Sequence, residues 1–353
     1  MGLRVPVWTS LDLTAMPPWL RTLWPSQRHA PFVLAGVNDD DCAVMQWDGH
    51  FLIVTTDYLN SSPIAMQLGI GDLGILGRLV VAANVADLLS TGASPRALLI
   101  GVTMPRGSST NDFKSLMKGV KREADRVGIP VVGGDTKLGQ AFAVLGVGVG
   151  SATDRRELLL KNRALPGDDV WVSGHLGSCS AAVIGLSRDG LSGSMRNWAI
   201  RVLTRPSLPL GKSRDLAARR VGHGGIDVSD GLGEDISRLC EASNVGVVVD
   251  AASIPVERHA VTIANACGIR PWALPFSSGG EFQFIATVGR ADRELMESLG
   301  FCRIGRLAAG RRRRLRLPDG SCIRLPRAGH RDARNMSFRD EILSLAREVS
   351  NAH

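Results

Sequence analysis

Between residues 73 and 93 the chain reads LGILGRLVVAANVADLLSTGA, a stretch with the length and apolar spacing of a helix that stops at Gly92. It carries a carboxylate, Asp87, with Asn84 about one turn earlier. An unpaired buried carboxylate is expensive. Either this helix face is wet, or Asp87 meets a cationic partner such as a metal ion. Any fold for this chain has to satisfy one of those conditions.

Other carboxylates stand where strands end or helices begin. Asp39, Asp40 and Asp41 precede an apolar segment, and three adjacent charges suit either a screened surface turn or a metal–phosphate site. Asp57 closes the apolar strand 51–56 and follows Thr55 and Thr56. Asp135 follows Gly133 and Gly134, whose missing Cβ atoms let a ligand approach the backbone. Asp227 and Asp230 bracket Ser229 just before Gly231, at an expected helix N-terminus where backbone N–H groups favour phosphate oxygens. Each Asp alone is an ordinary cap or turn residue; together they point to hard-oxygen coordination. A P-loop is excluded: Gly211-Lys212-Ser213 lacks the earlier Gly, Pro206 standing there, and reads as a helix start. No G-x-G-x-x-G follows a strand, and no H-E-x-x-H or G-x-S-x-G is present. The seven His are dispersed and receive no catalytic role.

A length of 353 residues suits two domains better than one. Residues 1–34, with Trp8, Trp19 and Trp24, read as an arm. Strand and helix patterns alternate through 35–153. The composition turns charged around Asp154–Pro166, and the alternation resumes through 154–353, so the expected class is α+β in two layered domains. The net charge is +8, yet twelve Arg and only three Asp lie between Arg303 and Asp340, which leaves the rest of the chain near neutral. The run Arg311–Arg314 reads as an exposed hairpin turning at Pro318-Asp319-Gly320. It is a solvated basic edge or, in the sharper reading, a contact for phosphate or an acidic partner. A single Tyr argues against an aromatic nucleic-acid platform, so nucleic acid is not the expected partner. The six Cys form no C-x-x-C pair and read as scattered reduced core thiols. With no apolar signal core and no run of about 18 apolar residues, a cytoplasmic protein with no membrane span is expected.

The motifs DDDCAV, TTD, NVADLLSTGASPRALL, VVGGDT, LPGDDVWVSGHLG, GIDVSDGL and SSGGEF occur in an order and spacing that resembles the thiamine-monophosphate kinases. These belong to the aminoimidazole-ribonucleotide (AIR) synthetase superfamily, with a hydrogenase maturation factor and selenophosphate synthetase. The resemblance covers roughly residues 36–310. It implies an N-terminal α/β domain that forms a barrel with a second subunit, a C-terminal α+β domain, and ATP with several Mg²⁺ in the cleft between them. By the same resemblance the metal-binding positions are Asp41, Thr55 or Thr56, Asp57, Asp87, Asp135, Asp227 and Asp230. Gly134, Asp135 and Ser229 would contact the nucleotide, Asp227 and Asp230 would serve catalysis, and Glu281 would face the substrate.

The implied reaction is in-line transfer of the γ-phosphoryl group to thiamine phosphate within a homodimer. Three departures fall on the acceptor side. The residues after Asp57 lack the family's His-Phe pair. Phe282-Gln283 replace Asp-Tyr after Glu281, and His330-Arg331 stand where an aromatic would stack on the thiamine ring. Two alternatives therefore stay open: ATP-dependent activation of an amide oxygen on another substrate, and nucleotide binding without turnover.

Overall fold

The computed structural model describes residues 32–36, 39–59, 63–188, 190–277, 279–327 and 338–351. Residues 1–31 of the expected arm, with its three Trp, and the pair His330-Arg331 lie outside the described residues; Val33 and Leu34, placed in that arm, belong instead to the first strand.

The first half builds one six-stranded sheet. Its strands are β1 (Val33–Ala35), β2 (Ala43–Trp47), β3 (His50–Leu59), β4 (Ser94–Pro105), β5 (Val131–Gly139) and β6 (Ala143–Ala152). They lie in the order β1-β2-β3-β6-β4-β5, antiparallel except for the parallel pair β4–β5. The apolar run 73–93 is helix α1 (Leu73–Ser90), started by the Asp72 side chain, which accepts the Gly74 N–H. Helix α2 (Thr110–Val127) links β4 to β5; Ser109 and Asp112 form its capping box, and Gly128 ends it at φ 71°. By length and composition α1 could cross a membrane, but most of it is buried within the protein. It packs on β3, β4, β6 and α2 and also touches β8 and β10 of the second sheet. The pattern VVGGDT suggests a short strand entering a glycine turn; instead β5 continues through Gly139, because it pairs with β4 along its length.

The second half forms a seven-stranded sheet in the order β13-β12-β9-β11-β7-β10-β8. Its strands are β7 (Asp169–Val172), β8 (Gly222–Asp227), β9 (Gly246–Asp250), β10 (Phe284–Val288), β11 (Cys302–Ala308), β12 (Arg313–Arg316) and β13 (Cys322–Arg324). Only β9–β12 is parallel. Its helices are α3 (Ser178–Leu186), α4 (Gly193–Thr204), α5 (Leu210–Arg219), α6 (Leu232–Ala242), α7 (Arg258–Ala266), α8 (Arg293–Ser298) and α9 (Phe338–Asn351). Val170, Val172, Val247, Val249 and Ile285 pack with Val183, Ile184, Ile236, Leu239 and Ile263 of the helices. Trp171, Phe284 and Ala286 pack in a separate cluster with Leu216 of α5 and Met296 of α8. The Gly-Lys-Ser decoy is indeed the first turn of α5, and the Arg-rich run forms the β12–β13 hairpin. All six thiols are free, but they are not all core residues: Cys42, Cys179 and Cys240 are buried, Cys267 and Cys302 half-buried, and Cys322 exposed on the edge hairpin.

Candidate active site

Along β3 the side chains alternate, so Thr55 and Asp57 share one face and Thr56 takes the other. Thr55 is buried and Thr56 exposed. Thr55 Oγ1 donates to Asp87 Oδ2 at 2.6 Å and lies 3.2 Å from the Asp41 carbonyl oxygen. One hydroxyl thus joins β3, α1 and the loop before β2. Of the two threonines, Thr55 therefore faces the carboxylates and Thr56 faces away from them.

Helix α1 sits low enough on the sheet to place Asp87 because β6 is glycine-rich beneath it. A Cβ on Gly146 would meet Asn84 Nδ2 at 2.1 Å. Asn84 is fully buried; its Nδ2 donates to the Val80 carbonyl at 2.8 Å, and its Oδ1 has no partner.

The three leading aspartates have separate tasks. Asp39 accepts the Gly36 N–H at 3.2 Å, a local turn bond. Asp40 accepts the Lys161 backbone N–H at 2.8 Å and the Asp41 N–H at 2.9 Å, which fastens the loop to the second half of the chain. Asp41 carries its charge toward Asp57, Asp87 and Asp227, each of which feels it electrostatically. From the second half, the last residue of β8, Asp227, completes the group, and the Ser229 side chain bonds to it.

Sequence reading missed Lys161. Its ammonium pairs with Asp41 and also interacts with Asp40 and Asp227. Lys161 is 9% exposed, and a Lys is almost never so buried unless paired. The signal available was a lone cation closing the apolar run Leu158-Leu159-Leu160. Its carboxylate neighbours raise its pKa, outweighing the opposing effect of burial.

One cation does not neutralise five carboxylates. Burial pushes Asp40 up to about 7, with the Asp41 charge adding to it. Burial, then Asp41, pushes Asp57 up to about 6. Asp87 and Asp227 rise well above the usual carboxylate range, again through burial first and neighbouring Asp charges second. Asp41 Oδ2 and Asp57 Oδ2 are buried with no hydrogen-bond partner. Asp41, Asp57 and Asp87 are nevertheless partly reached by solvent, so the group opens outward. Among the described residues, no three acidic, imidazole or thiol side chains already converge as a finished metal cage. The donor chemistry still fits Mg²⁺: hard oxygens, excess negative charge and two orphaned carboxylate oxygens. Asp41, Asp57, Asp87 and Asp227, with Thr55 beside them, are the residues that would hold it.

Of the other expected residues, Ser229 touches this group through its bond to Asp227, and Asp135, Gly134, Asp230 and Glu281 do not join it. Asp135 lies on β5, three strands from β3 in the same sheet, about 14 Å at ordinary strand spacing. It is exposed, pairs with Lys137 at 3.2 Å, and accepts the Thr136 N–H at 2.8 Å. Gly134 is exposed on the same strand. Asp230 is ion-paired to Arg238 instead, and its backbone N–H is held by Asp235 at 3.1 Å. Asp235 is a second residue that sequence reading passed over. Glu281 is buried and caps α3, accepting backbone hydrogen bonds from Gly177, Ser178 and Cys179; burial pushes it up to about 7. Ser229 is exposed, and its loop is clamped by the following Gly pair: Gly280 N–H donates to the Ser229 carbonyl at 3.0 Å. A Cβ on Gly279 would lie 1.5 Å from that same oxygen, so only glycine fits there. The departure at Gln283 has a packing cause. Its Oε1 accepts from Ser173 Oγ at 2.9 Å and its Nε2 donates to the Ser207 carbonyl at 2.8 Å.

Known proteins resemble this chain in sequence and in fold. Residues 39–152 match the family described as AIR synthase related protein, N-terminal domain, and residues 166–318 match its C-terminal domain. A thiamine-monophosphate kinase of Mycobacterium tuberculosis is 30% identical over 262 residues, 74% of this chain and 76% of that protein. One from Pyrococcus horikoshii is 26% identical over 276 residues, 77% of this chain and 83% of that protein. Among solved structures, AaThiL complexed with AMPPCP and TMP superposes with a TM-score of 0.73 at 21% identity, covering 86% of this chain and 92% of that one. At that identity the likeness speaks for the fold.

Proposed function

Because this chain belongs to the AIR synthase related family, on the thiamine-monophosphate kinase line, we propose that it is an ATP-dependent kinase whose acceptor is thiamine monophosphate. One observation carries the reading: Asp41, Thr55, Asp57 and Asp87 from the first half meet Asp227 and Lys161 from the second, in a group too negative to stand without a cation.

The proposed reaction moves the γ-phosphoryl group of ATP in line onto a phosphate oxygen of the acceptor. Asp41, Asp57, Asp87 and Asp227 would hold Mg²⁺, which when bound would supply charge neutralisation for the triphosphate. The chain's own part is positioning. Thr55 fixes the Asp87 carboxylate, Asp40 fastens the loop that carries Asp41, and the Gly279-Gly280 clamp holds Ser229 and Asp230 at the start of α6. An acceptor phosphate is ionised near neutral pH, so no general base is required, which suits a site built without His. The test is ADP release from Mg-ATP with thiamine monophosphate added. ADP formation that rises with thiamine monophosphate, matched by thiamine diphosphate, is the expected result. Turnover no greater than in its absence removes this acceptor and favours the amide-activating alternative if another acceptor revives it. ATP binding without any turnover favours the non-catalytic one.

We further propose a homodimer closed through β5, acting in the cytoplasm. Val131, Val132 and Leu138 are exposed on this nine-residue edge strand, and Leu99 is exposed on its neighbour. A long apolar edge left bare invites pairing. A second copy there would cover it and bring its own surface to Gly134 and Asp135. Light scattering is expected to give twice the chain mass, and Val132→Glu with Leu138→Glu to give one. A wild-type monomer would refute the dimer.

A further inference from the structure

The hairpin β12–β13 and helix α6 enclose a groove of about 520 Å³, far larger than a single ion needs and within the range of small-ligand pockets. Six arginines line it: Arg311, Arg312, Arg313, Arg314, Arg324 and Arg327. Resident carboxylates answer only part of this charge. Glu241 Oε1 accepts from both Arg313 Nη1 at 2.8 Å and Arg327 Nη1 at 2.7 Å. Glu234 is divided between Arg327 at 2.9 Å and Arg238 at 3.3 Å. Arg311 donates to a neutral acceptor, Asn244 Oδ1, at 2.8 Å. Arg312, Arg314 and Arg324 have no ion pair among the described residues.

Two further features separate this groove from an ordinary solvated basic edge. Arg314 stands directly opposite Arg324 in the hairpin register, and like charges in that relation destabilise a strand pair. Ser237, fully buried on α6, lines the groove with its Oγ unpartnered, and Arg313 Nε is likewise buried and unpartnered. Buried donors without acceptors are rare in native proteins. The lining contains no aromatic ring for a base to stack on. Guanidinium forks match phosphate oxygens in pairs.

We propose that this groove binds the oligophosphate group of a small ligand: an inorganic oligophosphate, or the phosphate chain of a nucleotide. It goes beyond the kinase reading and does not depend on the carboxylate site. The test is calorimetric titration of the full chain in EDTA, so that no Mg-dependent site contributes. The probes are inorganic tripolyphosphate and ATP. Wild type is expected to bind tripolyphosphate at one site per chain. ATP binding at least 10-fold tighter identifies a nucleotide as the source, and equal binding identifies the phosphate chain itself. Arg312→Gln, Arg314→Gln and Arg324→Gln combined are expected to weaken binding at least 10-fold. Their thermal unfolding temperature stays unchanged or rises, since a like-charge pair is removed. Asp87→Asn is expected to bind tripolyphosphate as wild type does. Absence of wild-type binding overturns the proposal, as does undiminished binding by the triple variant. Loss in Asp87→Asn alone would put the anion in the carboxylate site, and tighter binding of a ten-nucleotide RNA than of tripolyphosphate would replace the small ligand with nucleic acid.

Discussion

Asp87→Asn is expected to lower Mg-ATP affinity by at least about 100-fold, roughly 2.7 kcal/mol, while the fold persists. The substitution changes charge with little change of shape. The amide still offers an oxygen to Thr55 Oγ1, whose 2.6 Å bond ties α1 to β3. What disappears is one negative charge beside Asp41, Asp57 and Asp227. In the metal-free protein that charge is a burden, because burial and like-charged neighbours both oppose it. The variant without metal is therefore expected to unfold at the same temperature as wild type or higher. With Mg-ATP the order reverses, since wild type gains the full linkage stabilisation and the variant little of it. Two measurements check this: titration calorimetry with Mg-ATP, and thermal unfolding with and without it. Unchanged affinity would remove Asp87 from the nucleotide site. Lost affinity together with a collapse in metal-free stability would mean that Asp87 serves packing instead.

What the sequence reveals of this site, and what it hides, divides along a physical line. Periodicity finds α1, β3 and the β12–β13 hairpin because each is a local pattern that the chain repeats within a few residues. The Asp run before β2 is legible for the same reason. The choice between Thr55 and Thr56 is not, because it depends on which face of β3 looks toward α1, and tertiary packing sets that. Asp135 shows the converse: its local motif is as strong as any, yet the strand order β3-β6-β4-β5 carries it three strands away. Asp230 and Glu281 sit in sound motifs too, and the structure gives one to Arg238 and the other to the N-terminus of α3. Lys161 is hidden most completely. It meets Asp41 across 120 residues, and nothing in LLLKNRALPG states that its ammonium turns inward.

That hidden lysine gives the second large effect. Lys161→Met is expected to destabilise the metal-free protein by about 3 kcal/mol, because removing one partner of a buried pair leaves the other charge uncompensated. The lower end of the usual 3–5 kcal/mol range applies, since the Asp41 side chain keeps 26% exposure and water screens part of its charge. The loss should be smaller when Asp41→Asn is also present, because the neutral carboxamide leaves no charge for the ammonium to compensate. A double-mutant cycle in denaturant reads that coupling directly. Strictly additive losses would mean that Lys161 supports the fold through its aliphatic stem and not through its charge. Mg²⁺ separates the two accounts again. If the carboxylates demand a cation, millimolar Mg²⁺ raises the unfolding temperature of Lys161→Met more than that of wild type, because the ion replaces the missing charge. A packing defect gains nothing extra from the metal. The same lysine thus compensates part of the charge, Asp40 anchors the lysine's own backbone, and the uncompensated remainder would be the driving force for the proposed metal.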